Sequence, residues 1–281
     1  MAIGRRALVL GGGGITGIAW ETGLLAGLAQ AGLDLTSAEI VVGTSAGSVV
    51  GAQILSGVTL ENLYADQLKD ATGEIAAKMG LGAMARFAIG SLWPGDERRG
   101  RAWLGRAALT ARTVPESVRR AVIEKRLPSR SWPAGQLMIV AVDAETGESK
   151  VFDRDGGASL TDAVAASCAV PMVWPPVTID GRRFIDGGVR SAANADLAIG
   201  CDRVVVLAPL MVALRRRHRI DIQLAALGRS VQSIVISPDS QARKAIGSNS
   251  LDPAFRAASA KAGRLQAANV ADAVAAVWVA S

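Results

Sequence analysis

Short apolar runs alternate with helical patterns along the first part of the chain. Residues 7–10 and 39–42 are rich in aliphatic side chains and lead into glycine-containing turns, which predicts buried strands of a parallel sheet. Apolar residues at helical spacing predict helices over 15–32 and 46–56. Two successive strand–helix units are typical of an α/β fold. We therefore expect a three-layer α/β/α architecture around a central, mostly parallel sheet.

The pattern changes between about residues 60 and 133, where strand signals are scarce. The clearest helical stretches are 60–71 and 114–127. Between them lie a Trp-Pro-Gly turn at 93–95 and an arginine-rich piece. We interpret residues 60–133 as a helical cap inserted into the α/β domain.

Strand patterns return after the cap. The predicted strands are 136–142, 150–152, 177–179, 183–185, 203–207 and 231–236. Ser159 resembles the N-cap of a short helix that ends by residue 169. The alanine-rich segment 253–279 predicts a C-terminal helical segment, broken near Asn269. We expect residues 1–281 to form one domain that carries the cap.

The composition predicts a folded protein with a large core. Of 281 residues, 50% are hydrophobic and 20% are charged, which excludes a disordered chain. The two cysteines, Cys168 and Cys201, form neither a disulfide framework nor a metal-ligand pattern. No secretion signal is recognisable. The uncharged stretch 40–60 contains four glycines and predicts strand, turn and buried helix rather than a membrane span. We expect a cytoplasmic protein.

The positive charge is concentrated in the cap. The chain has a net charge of +6, and residues 86–130 contain eleven basic and four acidic residues, 11 − 4 = +7. Together with Trp93 and Trp103, this region is compatible with peripheral contact with an anionic membrane surface. It is equally compatible with an ordinary basic surface whose tryptophans pack inward. Without a nucleic-acid-binding motif, we expect no nucleic-acid partner.

The candidate nucleophile is Ser45, which follows the second predicted strand and precedes a predicted helix. Its neighbours Gly43, Thr44, Ala46 and Gly47 complete a G-x-S-x-G motif. Such a motif places the serine hydroxyl at a sharp strand-to-helix turn, the nucleophile elbow. The helix N-terminus behind it favours the negative charge that develops in acyl transfer. The motif therefore predicts a nucleophilic serine.

Four consecutive glycines follow the first predicted strand, and the last three open a G-x-G-x-x-G pattern. One interpretation is a dinucleotide site. That site also requires an acidic residue at the end of the second strand, where this chain has Gly43 and Ser45. The other interpretation is an oxyanion hole, in which the backbone amides of Gly12, Gly13 and Gly14 bind a tetrahedral intermediate.

The catalytic base is less obvious because the chain has a single histidine. His218 lies within a run of arginines, which is better explained as a solvated basic face. A carboxylate can act as the base when it lies within hydrogen-bond reach of the serine. Asp186 ends an apolar strand and is followed by Gly187 and Gly188. It is therefore the best candidate, although a turn aspartate explains the same pattern.

Four sequence blocks occur together in a fixed order. They are residues 12–17, 43–47, 166–171 with 175–177, and 186–188. With these blocks the chain resembles a patatin-like phospholipase, a bacterial member of the patatin group of serine acyl hydrolases, over about residues 5–210. The resemblance implies a patatin-like fold, a Ser45–Asp186 dyad and an oxyanion hole from the glycine loop. It also implies a lipid ester substrate and a reaction that needs no metal or organic cofactor.

One position departs from the family pattern. The loop of the family usually carries a basic residue where this chain has Thr16. A cation there would order the loop or contact an anionic headgroup, so the headgroup preference stays open. The resemblance predicts a phospholipase A or lysophospholipase type of activity. Two alternatives remain: a non-catalytic lipid-binding or regulatory protein on the same scaffold, and a dinucleotide-dependent oxidoreductase.

Overall fold

A computed structural model describes residues 4–211 and 213–279, which form eight strands and ten α-helices. The strands are β1 (Arg6–Leu10), β2 (Ile40–Thr44), β3 (Gln136–Asp143), β4 (Ser149–Phe152), β5 (Val177–Ile179), β6 (Arg182–Asp186), β7 (Arg203–Leu207) and β8 (Gln232–Ile236). The helices are α1 (Gly14–Gln30), α2 (Ala46–Ile54), α3 (Leu60–Leu68), α4 (Leu81–Ser91), α5 (Glu97–Leu109), α6 (Glu116–Arg126), α7 (Leu160–Ser167), α8 (Ile220–Ala226), α9 (Ser240–Ile246) and α10 (Arg256–Trp278).

All eight strands belong to one sheet, in the order β5-β6-β3-β2-β1-β7-β8, with β4 paired to β3. The five consecutive strands β3, β2, β1, β7 and β8 are parallel to one another. Strands β4, β5 and β6 extend the sheet with antiparallel pairing. The prediction of a mostly parallel sheet is therefore confirmed.

Helices cover both faces of this sheet. Alternate residues of β1 point to opposite faces, as strand geometry requires. Leu8 and Leu10 belong to a core shared with α1, α2 and α10. Ala7 and Val9 belong to a second core on the other face, which is shared with α8. The expected three-layer α/β/α architecture is confirmed.

The cap between α2 and β3 contains four helices. The predicted stretches 60–71 and 114–127 correspond to α3 and α6. The sequence did not separate α4 from the arginine-rich α5. Helix α5 buries Leu104 and Ala108 against the sheet extension, whereas Arg98, Arg99 and Arg106 are exposed. Trp93 and Trp103 pack against each other, with ring centroids 5.7 Å apart.

The C-terminal segment differs from the prediction, because α10 runs from Arg256 to Trp278 without a break near Asn269. Asn269 lies on the exposed face of the helix. Packing against α1 stabilises the whole helix, which outweighs the weak helix propensity of one asparagine. The two backbones approach closely: a Cβ atom on Gly23 would lie 2.0 Å from the Ala260 carbonyl oxygen.

The uncharged stretch 40–60 folds as β2, a turn and the buried helix α2, as predicted. Helix α2 is nine residues long. Within residues 4–211 and 213–279, no helix combines the length and apolarity needed to cross a membrane.

Candidate active site

Ser45 occupies the turn between β2 and α2 in a strained conformation. Its φ is 52° and its ψ is −113°, a region that residues with side chains rarely adopt. The Ser45 N–H donates to Ser167 Oγ at 2.9 Å. Its carbonyl oxygen accepts from Ser48 Oγ at 2.7 Å and from Cys168 Sγ at 3.2 Å. These buried hydrogen bonds hold the strained backbone in place.

The glycines of the elbow are required by close backbone contacts. A Cβ atom on Gly43 would lie 2.6 Å from Ser48 Cα, and one on Gly47 would lie 2.1 Å from the Leu10 carbonyl oxygen. Only glycine fits at such distances. The Gly47 N–H donates to the Gly11 carbonyl oxygen at 2.9 Å. The elbow is thus joined directly to the glycine loop.

The glycine loop lies beside the serine. A Cβ atom on Gly12 would lie 3.7 Å from Ser45 Cβ. The Gly12 N–H already donates to the Ala192 carbonyl oxygen at 2.7 Å, so it is not available to bind an oxyanion. Among the described residues, no acceptor binds the amides of Gly13 or Gly14. Two of the three predicted oxyanion donors, the amides of Gly13 and Gly14, therefore lack an acceptor within the described residues.

Thr16, which replaces the usual basic residue, is fully buried at the start of α1. Its N–H and its hydroxyl both donate to the Ser250 carbonyl oxygen, at 3.2 and 3.3 Å. A Cβ atom on Gly14 would lie 2.5 Å from the same oxygen. Thr16 therefore anchors a C-terminal segment over the glycine loop.

Asp186 ends β6 and is almost fully buried. Its N–H donates to the Ala169 carbonyl oxygen at 3.0 Å, and its Oδ1 accepts from the Gly188 N–H at 2.7 Å. Burial raises the pKa of Asp186 to about 7, against the opposing effects of the Ser45 hydroxyl, the Gly188 amide and the charge of Arg119. The carboxyl group can therefore exist in either protonation state near neutral pH.

The Ser45 hydroxyl lies near the Asp186 carboxyl group, but the two do not form a well-aligned hydrogen bond. The hydroxyl is near enough to act as a hydrogen-bond partner that lowers the pKa of Asp186. Asp186 Oδ2 is nevertheless buried without a hydrogen bond that meets ordinary distance and angle limits. Catalytic hydrogen bonds are often long before substrate binds.

Asn194 connects the elbow to the turn after Asp186, and the sequence reasoning missed it. Its backbone is left-handed, with φ 54°, and its side chain is fully buried. Asn194 Nδ2 donates to Thr44 Oγ1 at 2.9 Å, to the Ser191 carbonyl oxygen at 3.0 Å and to the Gly187 carbonyl oxygen at 3.4 Å. The only sequence signal was a polar residue among alanines.

Ser45 opens into a narrow cleft whose cavity volume is about 20 Å³, room for about one water molecule. Most of its lining is apolar, with Ile15 and Ile18 from α1, Ala46 from the elbow and Trp174 from the loop after α7. Arg119 on the cap helix α6 also lines it. An apolar chain can enter beside the serine only when the walls of this cleft move apart.

His218 lies elsewhere. Its Nε2 is 3.1 Å from Glu97 Oε2 on α5, and Arg217 Nε is 2.7 Å from the other oxygen of the same carboxylate. Burial lowers the pKa of His218. His218 belongs to an ionic cluster at the cap and does not line the cleft of Ser45.

The fold and the elbow place the protein in a class: three-layer α/β/α proteins with a serine at a strained strand-to-helix turn. The model of the patatin-like phospholipase family matches residues 8–199. The chain belongs to this family, as the sequence resemblance predicted. The name of the family gives lipid ester hydrolysis as its characteristic activity.

Curated relatives and solved structures are also similar to parts of this chain. NTE family proteins of Mycobacterium tuberculosis and Mycobacterium bovis are each 29% identical over 203 residues, covering 69% of this chain and 48% of the relative. The chain thus spans about half the length of these relatives. VipD from Legionella pneumophila shares the fold, with a TM-score of 0.50, 14% identity, and coverage of 97% of this chain and 67% of VipD. The type III effector ExoU aligns with a TM-score of 0.43, 17% identity, and coverage of 96% and 53%.

Proposed function

We propose that this protein hydrolyses lipid esters, with Ser45 as the nucleophile and Asp186 as the general base. The observation that carries the proposal is the position of Ser45. It occupies a strained elbow between a glycine loop with two free amides and a buried carboxyl group whose pKa is about 7. A base with a pKa near the working pH is efficient in proton transfer.

In the first half-reaction, Ser45 Oγ attacks the ester carbonyl carbon and its proton passes to Asp186 Oδ2. The carbonyl oxygen becomes an oxyanion, which accepts hydrogen bonds from the amides of Gly13 and Gly14. The tetrahedral intermediate then collapses. The ester C–O bond breaks, Asp186 returns the proton to the leaving alkoxide, and the acyl group remains on Ser45.

In the second half-reaction, water attacks the acyl-enzyme. Asp186 removes a proton from the water as its oxygen bonds to the acyl carbon, and the same amides stabilise the second oxyanion. Collapse releases the fatty acid and returns the proton to Ser45 Oγ. Every proton transfer uses Asp186, so the mechanism needs no histidine.

A fluorophosphonate probe tests the nucleophile directly. Intact-protein mass analysis should show one adduct on the wild type and none on Ser45→Ala. The matched control is Ser56→Ala, just beyond the other end of α2, which should label like the wild type. Equal labelling of wild type and Ser45→Ala, or no labelling of either, contradicts the proposal.

The finer activity that we propose is of the phospholipase A or lysophospholipase type. The apolar lining of the cleft supports an acyl chain as the group held beside Ser45. Release of fatty acid from diacyl and monoacyl phospholipids, followed by mass spectrometry, distinguishes the two types. Hydrolysis of short soluble esters alone would limit the proposal to a general esterase.

Two other functions make different predictions. A non-catalytic lipid-binding protein would bind lipid without labelling or turnover. A dinucleotide enzyme would require the pyrophosphate at the start of α1. The Ser250 carbonyl oxygen occupies that region and accepts from Thr16, which does not favour the dinucleotide alternative. A rise in melting temperature with NAD(P) would restore it.

We also propose that helix α4 contacts an anionic membrane surface. Its large apolar side chains Leu81, Met84 and Ile89 are 84%, 52% and 53% exposed, and they lie beside the exposed Arg86. Basic and apolar side chains together favour anionic lipid interfaces. Trp93 and Trp103 instead pack on each other and are half-buried, so α4 provides the exposed apolar surface.

Vesicle flotation tests the membrane proposal. Binding should be stronger to vesicles with anionic phosphatidylglycerol than to phosphatidylcholine alone, and Leu81→Asp should weaken it. Leu265→Asp on α10, where the leucine is 62% exposed, is the matched control and should bind like the wild type. Equal binding by both variants, or failure of the wild type to bind anionic vesicles at low salt, contradicts the proposal.

A further inference from the structure

The cap places a positive charge inside the cleft of Ser45. Arg119 extends from α6 and lines the cleft together with Ser45, yet it is only 5% exposed. Its guanidinium carbon lies 4.0 Å from the centroid of the Trp174 ring. Stacking on an aromatic ring orients the planar guanidinium group. The side chain is thus buried, oriented and close to the nucleophile.

Two of the three nitrogens of this guanidinium group lack hydrogen-bond partners within the described residues. Arg119 Nε and Nη1 are both buried without a hydrogen-bond partner in the described part of the chain. Burial lowers the pKa of Arg119 to about 10, so the group is still charged at neutral pH. A buried cation without hydrogen-bond partners is unfavourable for folding. Such a cost is typical of groups whose partner is a ligand.

The neighbouring arginines of α6 show that this arrangement is specific to Arg119. Arg126 forms a two-point ion pair with Glu74, at 2.9 and 2.5 Å. Arg120 Nε donates to Asp162 Oδ1 at 2.7 Å on the outer side of the helix. Thr16 supplies no cation to the loop, because its side chain is uncharged, and its polar atoms bind Ser250. Among the described residues that line the cleft, Arg119 is therefore the cation whose hydrogen-bond donors lack partners.

We propose that Arg119 is a specificity-determining residue that binds a phosphate group of the ester substrate beside the scissile bond. This inference rests on the proposed hydrolysis at Ser45, and it adds that the preferred substrate carries a negative charge. A guanidinium group binds phosphate oxygens through charge-assisted hydrogen bonds, and Nε and Nη1 of Arg119 are free to donate them. The enzyme then prefers acyl esters that carry a phosphate over neutral esters with the same acyl chain.

A pair of substrates with one acyl group tests this preference: 1-acylglycerol-3-phosphate and the uncharged 1-acylglycerol. Arg119→Gln should lower kcat/KM for the phosphate ester about 10- to 100-fold, the range expected for lost hydrogen bonds to a charged group. At pH 9, where Asp186 is deprotonated in both proteins, it should leave kcat/KM for the neutral ester within about threefold. Arg119→Lys keeps the positive charge but not the planar set of guanidinium donors. It should give an intermediate loss of kcat/KM for the phosphate ester.

Arg120→Gln is the matched control, since Arg120 is the adjacent arginine and points away from the cleft. It should change neither kcat/KM value. The melting temperature of Arg119→Gln should equal or exceed that of the wild type, because an unpaired buried charge is removed. A structural role for Arg119 predicts a lower melting temperature and equal losses on both esters, and that result overturns the proposal. Unchanged selectivity also overturns it.

Binding to the Ser45→Ala variant separates this proposal from the proposed function. Calorimetric titration with dodecyl phosphate should show binding that Arg119→Gln weakens about tenfold or more. Dodecanol should bind equally with and without Arg119. If the wild type hydrolyses no ester but this difference is seen, the hydrolase proposal fails and the phosphate site stands. If inorganic phosphate binds as tightly as dodecyl phosphate, the site takes free phosphate, and the substrate assignment is wrong.

Discussion

Asp186 Oδ1 accepts a hydrogen bond from the Gly188 amide at 2.7 Å, and this bond fixes the carboxyl group at the end of β6. The second oxygen, Oδ2, is left buried and without a hydrogen bond. Removing the acid–base function while keeping the shape tests what this oxygen does. Asp186→Asn should fold normally and lose ester turnover by about three to four orders of magnitude. Near-normal turnover by this variant would remove Asp186 from the mechanism.

Activity should depend on pH through Asp186. The carboxyl group must be deprotonated to accept the serine proton, and burial raises its pKa to about 7. The kcat/KM for a neutral soluble ester should therefore fall as the pH drops below about 7, with one proton taken up. Stopped assays between pH 5 and 9 measure this limb. An activity that is flat down to pH 5 would contradict a base with this pKa.

Arg119 should influence the fall of kcat/KM at acid pH, because its positive charge lowers the pKa of Asp186. Arg119→Gln removes the charge, so the acid limb for a neutral ester should move to higher pH. Cys168 also interacts with Asp186, but burial raises the pKa of its thiol to about 11, so it remains neutral in this range. Arg120→Gln should leave the limb in place. A limb that moves to lower pH in Arg119→Gln would contradict the electrostatic argument.

Glu21 should make stability depend on pH. It is fully buried in α1, and neither carboxyl oxygen accepts a well-aligned hydrogen bond from the described residues. Burial raises the pKa of Glu21 well above the ordinary value and outweighs the opposing effect of the Gly11 amide. The unfolded chain loses the Glu21 proton at lower pH than the folded chain, so this group reduces stability as pH rises above about 4.5. Glu21→Gln should therefore be more stable than the wild type at pH 8, and the difference should shrink at pH 4. Urea unfolding measures both values; a less stable variant at pH 8 would show that Glu21 has a favourable ionised partner.

The backbone of Ser45 should store strain that a glycine releases. With φ 52° and ψ −113°, a non-glycine residue costs about 1–3 kcal/mol. Both Ser45→Ala and Ser45→Gly lose the nucleophile, but only glycine adopts this conformation freely. After the entropy cost of glycine, Ser45→Gly should be about 1 kcal/mol more stable than Ser45→Ala. Denaturant unfolding of the two variants decides this, and an alanine variant of equal or greater stability would show that the elbow is unstrained.

Two helical glycines should respond oppositely to alanine. A Cβ atom on Gly47 would lie 2.1 Å from the Leu10 carbonyl oxygen, whereas one on Gly82 in α4 would meet nothing within 4 Å. Gly47→Ala should destabilise the fold by about 2 kcal/mol or more through overpacking. Gly82→Ala should be neutral or stabilising by up to about 1 kcal/mol. Thermal unfolding of the pair measures this, and tolerance of alanine at position 47 would contradict the close contact.

Local pattern predicted those parts of the fold that depend on a few consecutive residues. The strands β1 and β2 and the elbow at Ser45 are short apolar runs followed by glycine-rich turns, and both signals are local. The cap was predicted only in outline. In α4 and α5, apolar and basic residues alternate with alanines and glycines, so the helical period alone did not mark where one helix ends.

The roles of Asn194 and Arg119 depend on tertiary contacts that no local pattern contains. Asn194 is 150 residues from Thr44, which it binds. Arg119 resembles the adjacent Arg120 in sequence, and only folding shows that one is buried in the cleft while the other is paired outside it. Likewise, the hydrogen bond from the Gly12 amide to the Ala192 carbonyl oxygen depends on a loop that is distant in sequence.

The hydrogen bond from the Gly47 amide to the Gly11 carbonyl oxygen has a kinetic consequence. Gly11 also donates to the Leu207 carbonyl oxygen at 2.9 Å, so the serine turn and the glycine loop are fastened to the centre of the sheet. Opening of the cleft must then come from the other wall, which the cap provides. Slow movement of that wall would limit turnover of bulky lipids but not of small soluble esters. The rate ratio between these two substrate types would therefore report gating rather than bond cleavage.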